Sequence, residues 1–500
     1  MDSDKKLILA FTPFAIWSPH FETELEIIQN HLDDGGEALI LGCQGELPVC
    51  EPNPDHDLII CSKCKSRFQS GMKWLSSEKL LHKSFFNLTL EQTQELKDLD
   101  CKIWDTLESL KSFRVEGVDV GMAALSSVVT YLREPKPNIS EHQELIRKHA
   151  RSALMVFFSI KNIILKVNPQ GLLVCNGRFS SLRPALRAAQ HFGVTAFVDE
   201  VAGESDRYTI TTNTFPHDLE RLKSEIENVY LDSVLSFEQK SKMGLSWFTD
   251  RQSGKNQIRY HYSRSQTEGL LPKKLDGKKI NVVIFNSSED EFVAIEEWQN
   301  PFYADQNHAI LRLVEDLDGD NRFQIFLRVH PNLNNLQNSQ AREIRDLGLQ
   351  FPSIHIIPPD SAVSSYALLD SADVVVSYGS TIGIEAAYAG TPSILMGRAA
   401  YEDLGVCIRP QSHEALITLL LGMAEGEMIN LPDNYHLGVT KYGLFNRLWG
   451  HPFKFVRPFD AFSAKMEKNG KLVTIRSSIA PHIASVFKRF CSQFLGNKKN

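Results

Sequence analysis

The sequence predicts an α/β protein built from two doubly wound domains, and three observations carry this prediction. Its 500 residues, 42% of them apolar and 23% charged, suit two or three globular domains. Short, continuously apolar runs alternate with helical patterns, as expected for parallel strands that are covered on both faces. A polar stretch at 263–279, SRSQTEGLLPKKLDGKK, separates two groups of such runs.

The apolar runs are predicted to be strands, each followed by a helical segment. In the first half they read KLILAF, EALILGC, GLLVC and VTAFV, and in the second half KINVVIF, FQIFLRV, SIHII, ADVVVS and PSILM. From these runs and the polar stretch we place an N-terminal domain at 1–270, a second domain at 271–450 and a helical return segment at 451–500.

Charge and hydropathy exclude two classes of protein. A net charge of -7 and a pI near 6.2 give no basic surface of the kind that nucleic-acid backbones require, so we expect no nucleic-acid partner. The longest apolar runs, LMVFFSI and LITLLLGMA, fall well short of the roughly 20 residues that span a bilayer. We therefore expect a cytoplasmic protein, with at most peripheral contact at the inner membrane face.

Four of the eight cysteines fall in one short segment: Cys43, Cys50, Cys61 and Cys64. Disulfides are rare in the cytosol, and the CSKC half of the cluster has zinc-ribbon spacing. The first two cysteines are more widely spaced than a zinc ribbon requires. The cluster is therefore either a four-thiolate structural zinc site or a set of reduced cysteines.

Polar residues follow the predicted strands of the second domain. They are Asn286–Glu289, Arg328–Pro331, Pro358–Asp360 and Ser377–Thr381. In open α/β sheets ligands bind at the carboxyl ends of the strands, so several of these groups should converge on one edge of the sheet.

The segment SYGSTIGIE (377–385) predicts a phosphate site at a helix start. Gly379 and Gly383 permit close backbone approach, while the Ser380 and Thr381 hydroxyls lie where the helix dipole attracts an anion. Glu385, about one turn further, is placed to accept hydrogen bonds from sugar or ribose hydroxyls. The alternative is a capped helix in which these residues bind no ligand.

Two further strand ends complete this site. Arg328 and His330 are two residues apart and so point to the same side, and a fixed Arg with an imidazole donor suits a phosphate or diphosphate. A strand-end Arg is also common on ordinary surfaces. Ser288 and Glu291 have capping-box spacing, which favours a structural loop over direct contact with a ligand.

Four stretches together carry a family resemblance. They are RVHPN, SADVVVSYGSTIGIEAAYAGTPSILMG, CNGRFSSLRPALRAAQHFGV with the following DEVAG, and LPVCEPNPDHDLIICSKC. Over residues 7–450 the chain resembles bacterial surface-polysaccharide (capsule and O-antigen) glycosyltransferases of the GT-B type. The resemblance implies a GT-B-like fold, in which two Rossmann-like domains face a central cleft. It also implies a nucleotide-sugar donor bound by Arg328, His330, Ser380, Thr381 and Glu385, and a glycan or lipid-linked glycan acceptor on the N-terminal domain.

The N-terminal domain should then supply acceptor contacts and, for an inverting reaction, a base. His20 follows the first strand and opens a helical stretch, and an imidazole with its unperturbed pKa near ~6.5 accepts a hydroxyl proton at neutral pH. Glu200 is an alternative base or a sugar-hydroxyl ligand. Asn176 and Arg178 end a predicted strand and are candidate acceptor contacts. Each of these residues also has a structural reading, as a helix-start histidine or as an interdomain salt-bridge residue.

Three functions remain open. The first is a glycosyltransferase without a catalytic metal, because no Asp-x-Asp lies at the end of a predicted strand. The second is a nucleotide-sugar 2-epimerase or polyol-phosphate transferase on the same fold. The third is a non-catalytic subunit of a polysaccharide-assembly complex.

The C-terminal segment carries an apolar stripe. Ile483, Phe487, Phe490 and Phe494 fall on one face of a predicted helix that also carries Lys488, Arg489, Lys498 and Lys499. This helix either packs back across the N-terminal domain or contacts anionic lipid headgroups.

Overall fold

The computed structural model describes residues 6–76, 80–255, 265–460 and 462–477. Its strands in chain order are β1 Leu7–Phe11, β2 Glu37–Gly42, β3 Leu80–Ser84, β4 Gly171–Cys175, β5 Thr195–Val201, β6 Arg207–Thr212, β7 Ile280–Phe285, β8 Phe323–Arg328, β9 Ile354–Ile357, β10 Val374–Ser377, β11 Ser393–Leu395, β12 His451–Pro452, β13 Val456–Asp460, β14 Ser463–Lys468 and β15 Lys471–Val473. Its α-helices are α1 His20–Asp33, α2 Leu58–Trp74, α3 Leu90–Asp98, α4 Leu107–Lys111, α5 Val120–Leu132, α6 Gln143–Val167, α7 Arg183–His191, α8 Leu219–Asp232, α9 Phe237–Gln252, α10 Gln306–Leu317, α11 Ser339–Gln350, α12 Ser365–Asp370, α13 Ile382–Ala389, α14 His413–Ala424 and α15 Tyr435–Leu448.

The described residues form two compact units. The first unit draws on Met1–Tyr131, Pro137–Pro216 and Gly450–Asn500, and the second on Leu132–Lys136 and His217–Trp449. This division differs from the predicted boundary between 270 and 271. Helices α8 and α9 precede that boundary but belong to the second unit, because both pack against α15.

A close helix contact explains why α9 belongs with the second unit. Gly244 of α9 and Gly443 of α15 lie so near each other that a Cβ on Gly443 would sit 2.1 Å from the Gly244 carbonyl oxygen. Lys441 of α15 also pairs with Glu227 of α8 at 2.6 Å. Periodicity alone did not reveal that these helices pack on a partner almost 200 residues further along the chain.

The first unit contains a seven-stranded sheet in the order β12-β6-β5-β4-β1-β2-β3. The pairs among β1 to β5 are parallel, whereas β6 and β12 are antiparallel additions at one edge. The core on one face joins alternate residues of β1 and β2 to helices α1 and α2, and includes Ile8, Ala10, Phe21, Leu25, Ile40 and Phe68. The intervening strand residues are buried as well, among them Leu9, Phe11, Leu39 and Leu41.

The second unit contains a five-stranded sheet in the order β11-β10-β7-β8-β9, and all of its pairs are parallel. Alternate residues of its strands enter two separate cores. Val282, Ile284, Ile325 and Leu327 face one, while Val283, Phe285, Phe326 and Val375 face the other. Burial on both faces explains why these strands read as continuous apolar runs rather than as alternating ones.

The α/β class and the two doubly wound, Rossmann-like sheets are confirmed. Renumbered along each unit, the five central strands follow the order 3-2-1-4-5, which is characteristic of Rossmann-like domains. Each apolar run that was predicted to be a strand forms one. Strands β3 and β6 were missed, because LLHKS is mostly polar and RYTITT reads as a half-buried, alternating edge strand.

The prediction that the return segment at 451–500 is helical was wrong over its described part. Residues 451–473 form β12 to β15 rather than a helix, and β13 to β15 make a small antiparallel sheet of their own. The predicted stripe from Ile483 to Phe494, with its neighbouring lysines and arginine, lies outside the described residues. Across the described ranges, no helix is both long and apolar enough to cross a bilayer.

Candidate functional site

A cavity of about 290 Å³ opens at the carboxyl ends of the strands in the second unit. It lies where the strand order reverses, between β7 and β10, which is the usual ligand position in open α/β sheets. We call it the switch-point cavity. All seven residues predicted to bind the donor line it: Ser288, Arg328, His330, Gly379, Ser380, Thr381 and Glu385. The sequence analysis missed Arg251, which lines the same cavity, and named Ser287 only among the polar residues that follow β7.

Ser287 is the clearest sign that this cavity is built for a ligand. Its residue is only 6% exposed, and its hydroxyl has no hydrogen-bond partner among the described residues. Its backbone is held firmly, because its N–H donates to Gln306 Oε1 at 2.8 Å and its carbonyl accepts from Gln340 Nε2 at 2.8 Å. A buried hydroxyl without a partner is costly, so a ligand oxygen at this point would be stabilised.

Helix α13 begins at the cavity. Ser380 Oγ accepts a hydrogen bond from the Ile382 N–H at 3.4 Å, and Thr381 precedes the first helical residue. The positive end of the helix dipole therefore lies at the cavity wall, as predicted.

The two glycines permit close approach to the backbone, as predicted. Gly379 has φ +119°, and a Cβ there would lie 2.8 Å from the Arg398 carbonyl oxygen. A Cβ on Gly383 would lie 2.4 Å from the Tyr401 hydroxyl. At both glycines the approaching atoms belong to neighbouring parts of the protein.

Glu385 is engaged in an ion pair. Its Oε1 lies 3.0 Å from Arg251 Nη2, and its side chain is 3% exposed against 33% for Arg251. The charge of Glu385 raises the pKa of Arg251 above its usual value. The predicted contact of Glu385 with ribose or sugar hydroxyls therefore competes with this pair, and Arg251 is the more accessible partner.

Arg328 is anchored by backbone carbonyls. Its guanidinium donates to Pro358 O and, at 3.3 Å, to Ser361 O. Burial lowers its pKa to about 10, so it stays charged at neutral pH. These bonds connect β8 to the loop after β9. They also occupy N–H groups of the guanidinium that was predicted to bind a phosphate.

His330 is a neutral imidazole at the cavity. Burial lowers its pKa to about 4, and the charges of Arg328 and Arg133 act in the same direction. Its Nδ1 accepts from the Asn332 N–H at 3.2 Å, so the ring proton is assigned to Nε2. His330 therefore lines the cavity without adding positive charge, and its predicted contact with a donor phosphate stays a prediction.

Ser288 does not form the predicted capping box. Its hydroxyl donates to Asp290 Oδ1 at 2.5 Å, and Asp290 in turn pairs with Arg133 at 2.6 Å. The loop after β7 is thus fixed by a buried carboxylate and an arginine from residues 132–136. The prediction that this loop is structural agrees with these contacts.

In the first unit, His20 and Glu200 are neighbours. His20 Nδ1 lies 3.7 Å from Glu200 Oε1 and 3.4 Å from Cys175 Sγ. His20 opens α1, while Cys175 and Glu200 lie at the carboxyl ends of β4 and β5. The two candidate bases therefore meet next to the switch point of this sheet, between β1 and β4.

Asn176 and Arg178, the two candidate acceptor contacts, have different partners: Asn176 contacts Glu200, and Arg178 contacts Phe179. Asn176 has φ +56° and donates from Nδ2 to Glu200 Oε2 at 2.7 Å, so it positions Glu200 rather than reaching out to an acceptor. A non-glycine residue held at positive φ beside such a group is typical of functional sites. The Arg178 guanidinium lies 4.6 Å from the centre of the Phe179 ring.

A buried carboxyl pair lies close to Cys175, the neighbour of His20. Burial raises the pKa of both Glu24 and Asp199, and the pKa of Glu24 rises further because Asp199 is close. Asp199 is fully buried, and neither of its oxygens has a hydrogen-bond partner in the described part of the chain. Burial therefore favours the protonated form of Asp199 in the folded protein.

Three of the four clustered cysteines make separate hydrogen bonds. Asn53 donates to Cys61 Sγ at 3.2 Å, Gly45 donates to Cys43 Sγ at 3.3 Å, and Cys64 Sγ donates to Pro13 O at 3.8 Å. Within the described ranges no three Cys, His, Asp or Glu side chains are arranged to hold a metal ion. The expected zinc stays a prediction, tested below.

No protein-family model and no curated protein matches the chain. Among solved structures it is similar to KpsC of Thermosulfurimonas dismutans, a beta Kdo 2,4 transferase, at 12% identity over 62% of this chain and 85% of that one, with a TM-score of 0.34. It is also similar to the UDP-GlcNAc 2-epimerase of Neisseria meningitidis bound to UDP-GlcNAc, at 10% identity over 87% and 96%, with a TM-score of 0.28. Likenesses this weak decide neither family nor activity.

Proposed function

We propose that this protein is a glycosyltransferase that transfers a sugar from a nucleotide-activated donor to a surface polysaccharide or lipid-linked glycan acceptor. The family resemblance of the sequence supports the reaction class. The observation that carries the donor site is Ser287, whose buried hydroxyl lacks a partner among the described residues beside the start of α13. This arrangement suits a phosphate oxygen.

The donor phosphate is held mainly by neutral groups in this proposal. Ser287 O–H and the start of α13 supply a donor and a dipole, and His330, with its ring proton on Nε2, lines the same cavity. Arg251 is paired with Glu385, and Arg328 donates to backbone carbonyls. As the bond from the sugar to the phosphate breaks, the electrons and negative charge pass to the leaving nucleotide. Fixed donors stabilise that charge, and no catalytic metal is assigned.

The first unit supplies the base. With His20 Nδ1 directed at Glu200, the neutral imidazole carries its proton on Nδ1 and accepts the proton of the acceptor hydroxyl at Nε2. The Glu200 carboxylate then stabilises the imidazolium that forms. The freed acceptor oxygen bonds to the anomeric carbon of the sugar.

A charge-only substitution at Ser380 tests the donor site. Asp and Asn both cap helix starts well, so Ser380→Asp and Ser380→Asn should keep α13 intact, but only Asp places a negative charge at the proposed phosphate position. In thermal-shift titrations with UDP-, GDP-, CMP- and dTDP-sugars, one donor should stabilise the wild type and Ser380→Asn. Ser380→Asp should lose that stabilisation. Equal stabilisation of both variants would refute the site.

Product analysis tests the reaction. With the stabilising donor and a glycan acceptor, the wild type should release nucleotide and extend the acceptor. His20→Asn and Glu200→Gln should slow turnover while still binding the donor. Conversion of the donor to a 2-epimer without acceptor would instead assign the epimerase alternative.

A further inference from the structure

An arginine and a glutamate form an ion pair at the wall of the switch-point cavity. Arg251 is in the last turn of α9, and Glu385 is in the first turn of α13. Both Nε and Nη2 of Arg251 donate to Glu385 Oε1, at 3.2 and 3.0 Å. The two residues line the cavity together with Ser287 and Thr381. The ion pair is therefore part of the surface that a ligand in this cavity would contact.

The guanidinium of Arg251 lies where a helix dipole favours an anion. Its Nη2 is 3.5 Å from Thr381 Oγ1, and Thr381 immediately precedes α13. A cation at the N-terminal end of a helix is unfavourable, so the Glu385 carboxylate compensates both for the charge of Arg251 and for the positive end of the dipole. A phosphate group at the same point would compensate for these two charges equally well.

Glu385 cannot lose its cation without a replacement. The Glu385 side chain is 3% exposed, whereas that of Arg251 is 33% exposed, so water reaches the guanidinium far better than the carboxylate. A buried carboxylate without partners is costly. Tyr366 of α12 also lines the cavity and hydrogen-bonds to both members of the pair, so it supplies Glu385 with one further donor. Any additional donor for the carboxylate has to come from a ligand.

These contacts distinguish between two kinds of anion. At neutral pH inorganic phosphate or pyrophosphate carries negative charge but at most one hydroxyl donor. Such an anion would draw Arg251 away from Glu385 and leave the buried carboxylate beside a second negative charge. A phosphate ester of a sugar or of ribose carries several hydroxyl groups as well. Those hydroxyls can donate to Glu385 while the phosphate pairs with Arg251.

We propose that Glu385 competes with bound phosphate for Arg251, and that this competition makes the cavity select phosphate esters that carry hydroxyl groups over free phosphate and pyrophosphate. The inference rests on the proposed function, because that proposal places the donor in this cavity. It adds one cation to the neutral groups proposed there. The buried Ser287 hydroxyl, which has no partner among the described residues, is an independent sign that a ligand oxygen binds beside the start of α13.

Isothermal titration calorimetry with inorganic pyrophosphate, in buffer without divalent metal ions, tests the competition. The wild type should bind pyrophosphate weakly. Glu385→Gln keeps the size of the side chain but removes the charge that holds Arg251, so this variant should bind pyrophosphate about tenfold more tightly than the wild type, or better. A purely structural role of Glu385 predicts equal or weaker binding by the variant, and either result would overturn the proposal.

A neutral double variant shows whether Arg251 is responsible for the gain. Arg251→Gln alone would leave Glu385 buried without its cation, which endangers folding. Arg251→Gln/Glu385→Gln replaces the pair by two neutral side chains of similar length and avoids this problem. The double variant should lose the tighter pyrophosphate binding of Glu385→Gln. If it retained that binding, other groups would hold the anion and the proposal would be wrong.

A second ion pair of the same unit provides the matched control. Arg312 and Glu414 approach to 3.4 Å at an exposed position and do not line the cavity. Glu414→Gln removes the same charge from the whole protein as Glu385→Gln does, and it should leave pyrophosphate binding unchanged. An equal gain in both variants would reduce the effect to net charge and would contradict a specific competition for Arg251.

The same variants separate this inference from the proposed reaction. The preference for the stabilising nucleotide-sugar over pyrophosphate should fall about tenfold or more in Glu385→Gln, because only the nucleotide-sugar has hydroxyls for Glu385. Pyrophosphate titration requires no turnover. Tighter pyrophosphate binding by Glu385→Gln in a protein that transfers no sugar would therefore refute the reaction and leave the competition intact. Sugar transfer by the wild type, with equal pyrophosphate binding by the wild type and Glu385→Gln, would refute the competition alone.

Discussion

Glu289 makes the stability of the second unit depend on pH. It lies in the loop after β7, beside the switch-point cavity, and is 9% exposed. Its Oε1 accepts from the Gln306 N–H at 2.6 Å, and its own N–H donates to Gln340 Oε1 at 3.1 Å. Gln306 and Gln340 also hold the backbone of Ser287, so Glu289 belongs to the network that shapes the proposed donor site.

Burial raises the pKa of Glu289 from 4.5 to about 7, and the charges of Asp305 and Glu343 act in the same direction. The carboxyl group thus binds its proton more tightly in the folded protein than in the unfolded chain. Stability from this group is fully present below pH 4.5 and is lost as the pH rises through 7. A shift of this size corresponds to about 3 kcal/mol of unfolding free energy.

Urea unfolding at pH 5 and pH 8 measures this effect. Glu289→Gln keeps the carbonyl oxygen that accepts from Gln306 and cannot ionise. The fall in unfolding free energy between pH 5 and pH 8 should therefore be about 2.5 kcal/mol smaller in the variant than in the wild type. Glu297→Gln, at an exposed position, should leave the fall unchanged. The same fall in Glu289→Gln as in the wild type would refute this reasoning.

Three further predictions concern parts of the chain away from the cavity. The CSKC spacing predicts about one zinc ion per chain in elemental analysis of chelator-free protein, with less zinc in Cys61→Ser. A zinc-free wild type would show that the thiols are reduced and metal-free, as their separate hydrogen bonds favour. Burial raises the pKa of Asp119, but the charges and hydrogen bonds of Arg183 and Arg187 together lower it to about 2. Asp119→Asn should therefore lower the free energy of unfolding by about 2 kcal/mol at pH 7 in urea unfolding, and the difference from the wild type should narrow as the pH falls from 3.8 towards 2. Gly443→Ala should lower the free energy of unfolding by about 1–3 kcal/mol, because its Cβ would meet the Gly244 backbone. Gly277→Ala, where the new Cβ would lie in open space, should leave the free energy of unfolding unchanged. Equal stability of the two variants would contradict the close helix contact.

The central strands and the position of the candidate site could be predicted from the sequence. Burial on both faces forces continuous apolar runs, and the carboxyl ends of parallel strands must meet at one edge, so polar residues after β7, β8 and β10 converge. What each side chain does there depends on partners distant in sequence. Arg251 reaches Glu385 from a helix 134 residues earlier, and no local pattern indicates that contact.

The predicted boundary between residues 270 and 271 was wrong for the same reason, because it depends on partners that are distant in sequence. Helices α8 and α9 have ordinary amphipathic patterns, and those patterns do not specify which apolar surface covers them. The sequence analysis predicts a helical segment from residue 451, although the side chains of Ser463–Lys468 alternate between partly exposed and buried over the first four residues. Alternation over so few residues is a weak signal unless the partner strand is known.

Hydrogen exchange with and without a nucleotide-sugar tests the central claim most directly, because it reports where the donor binds. The account predicts slower amide exchange in peptides covering 286–292, 328–333 and 378–385 when the stabilising donor is present, with little change at 404–412. In Ser380→Asp the same donor should leave exchange in all of these peptides unchanged. Slower exchange confined to other parts of the chain, or equal protection of wild type and Ser380→Asp, would contradict a donor site in the switch-point cavity.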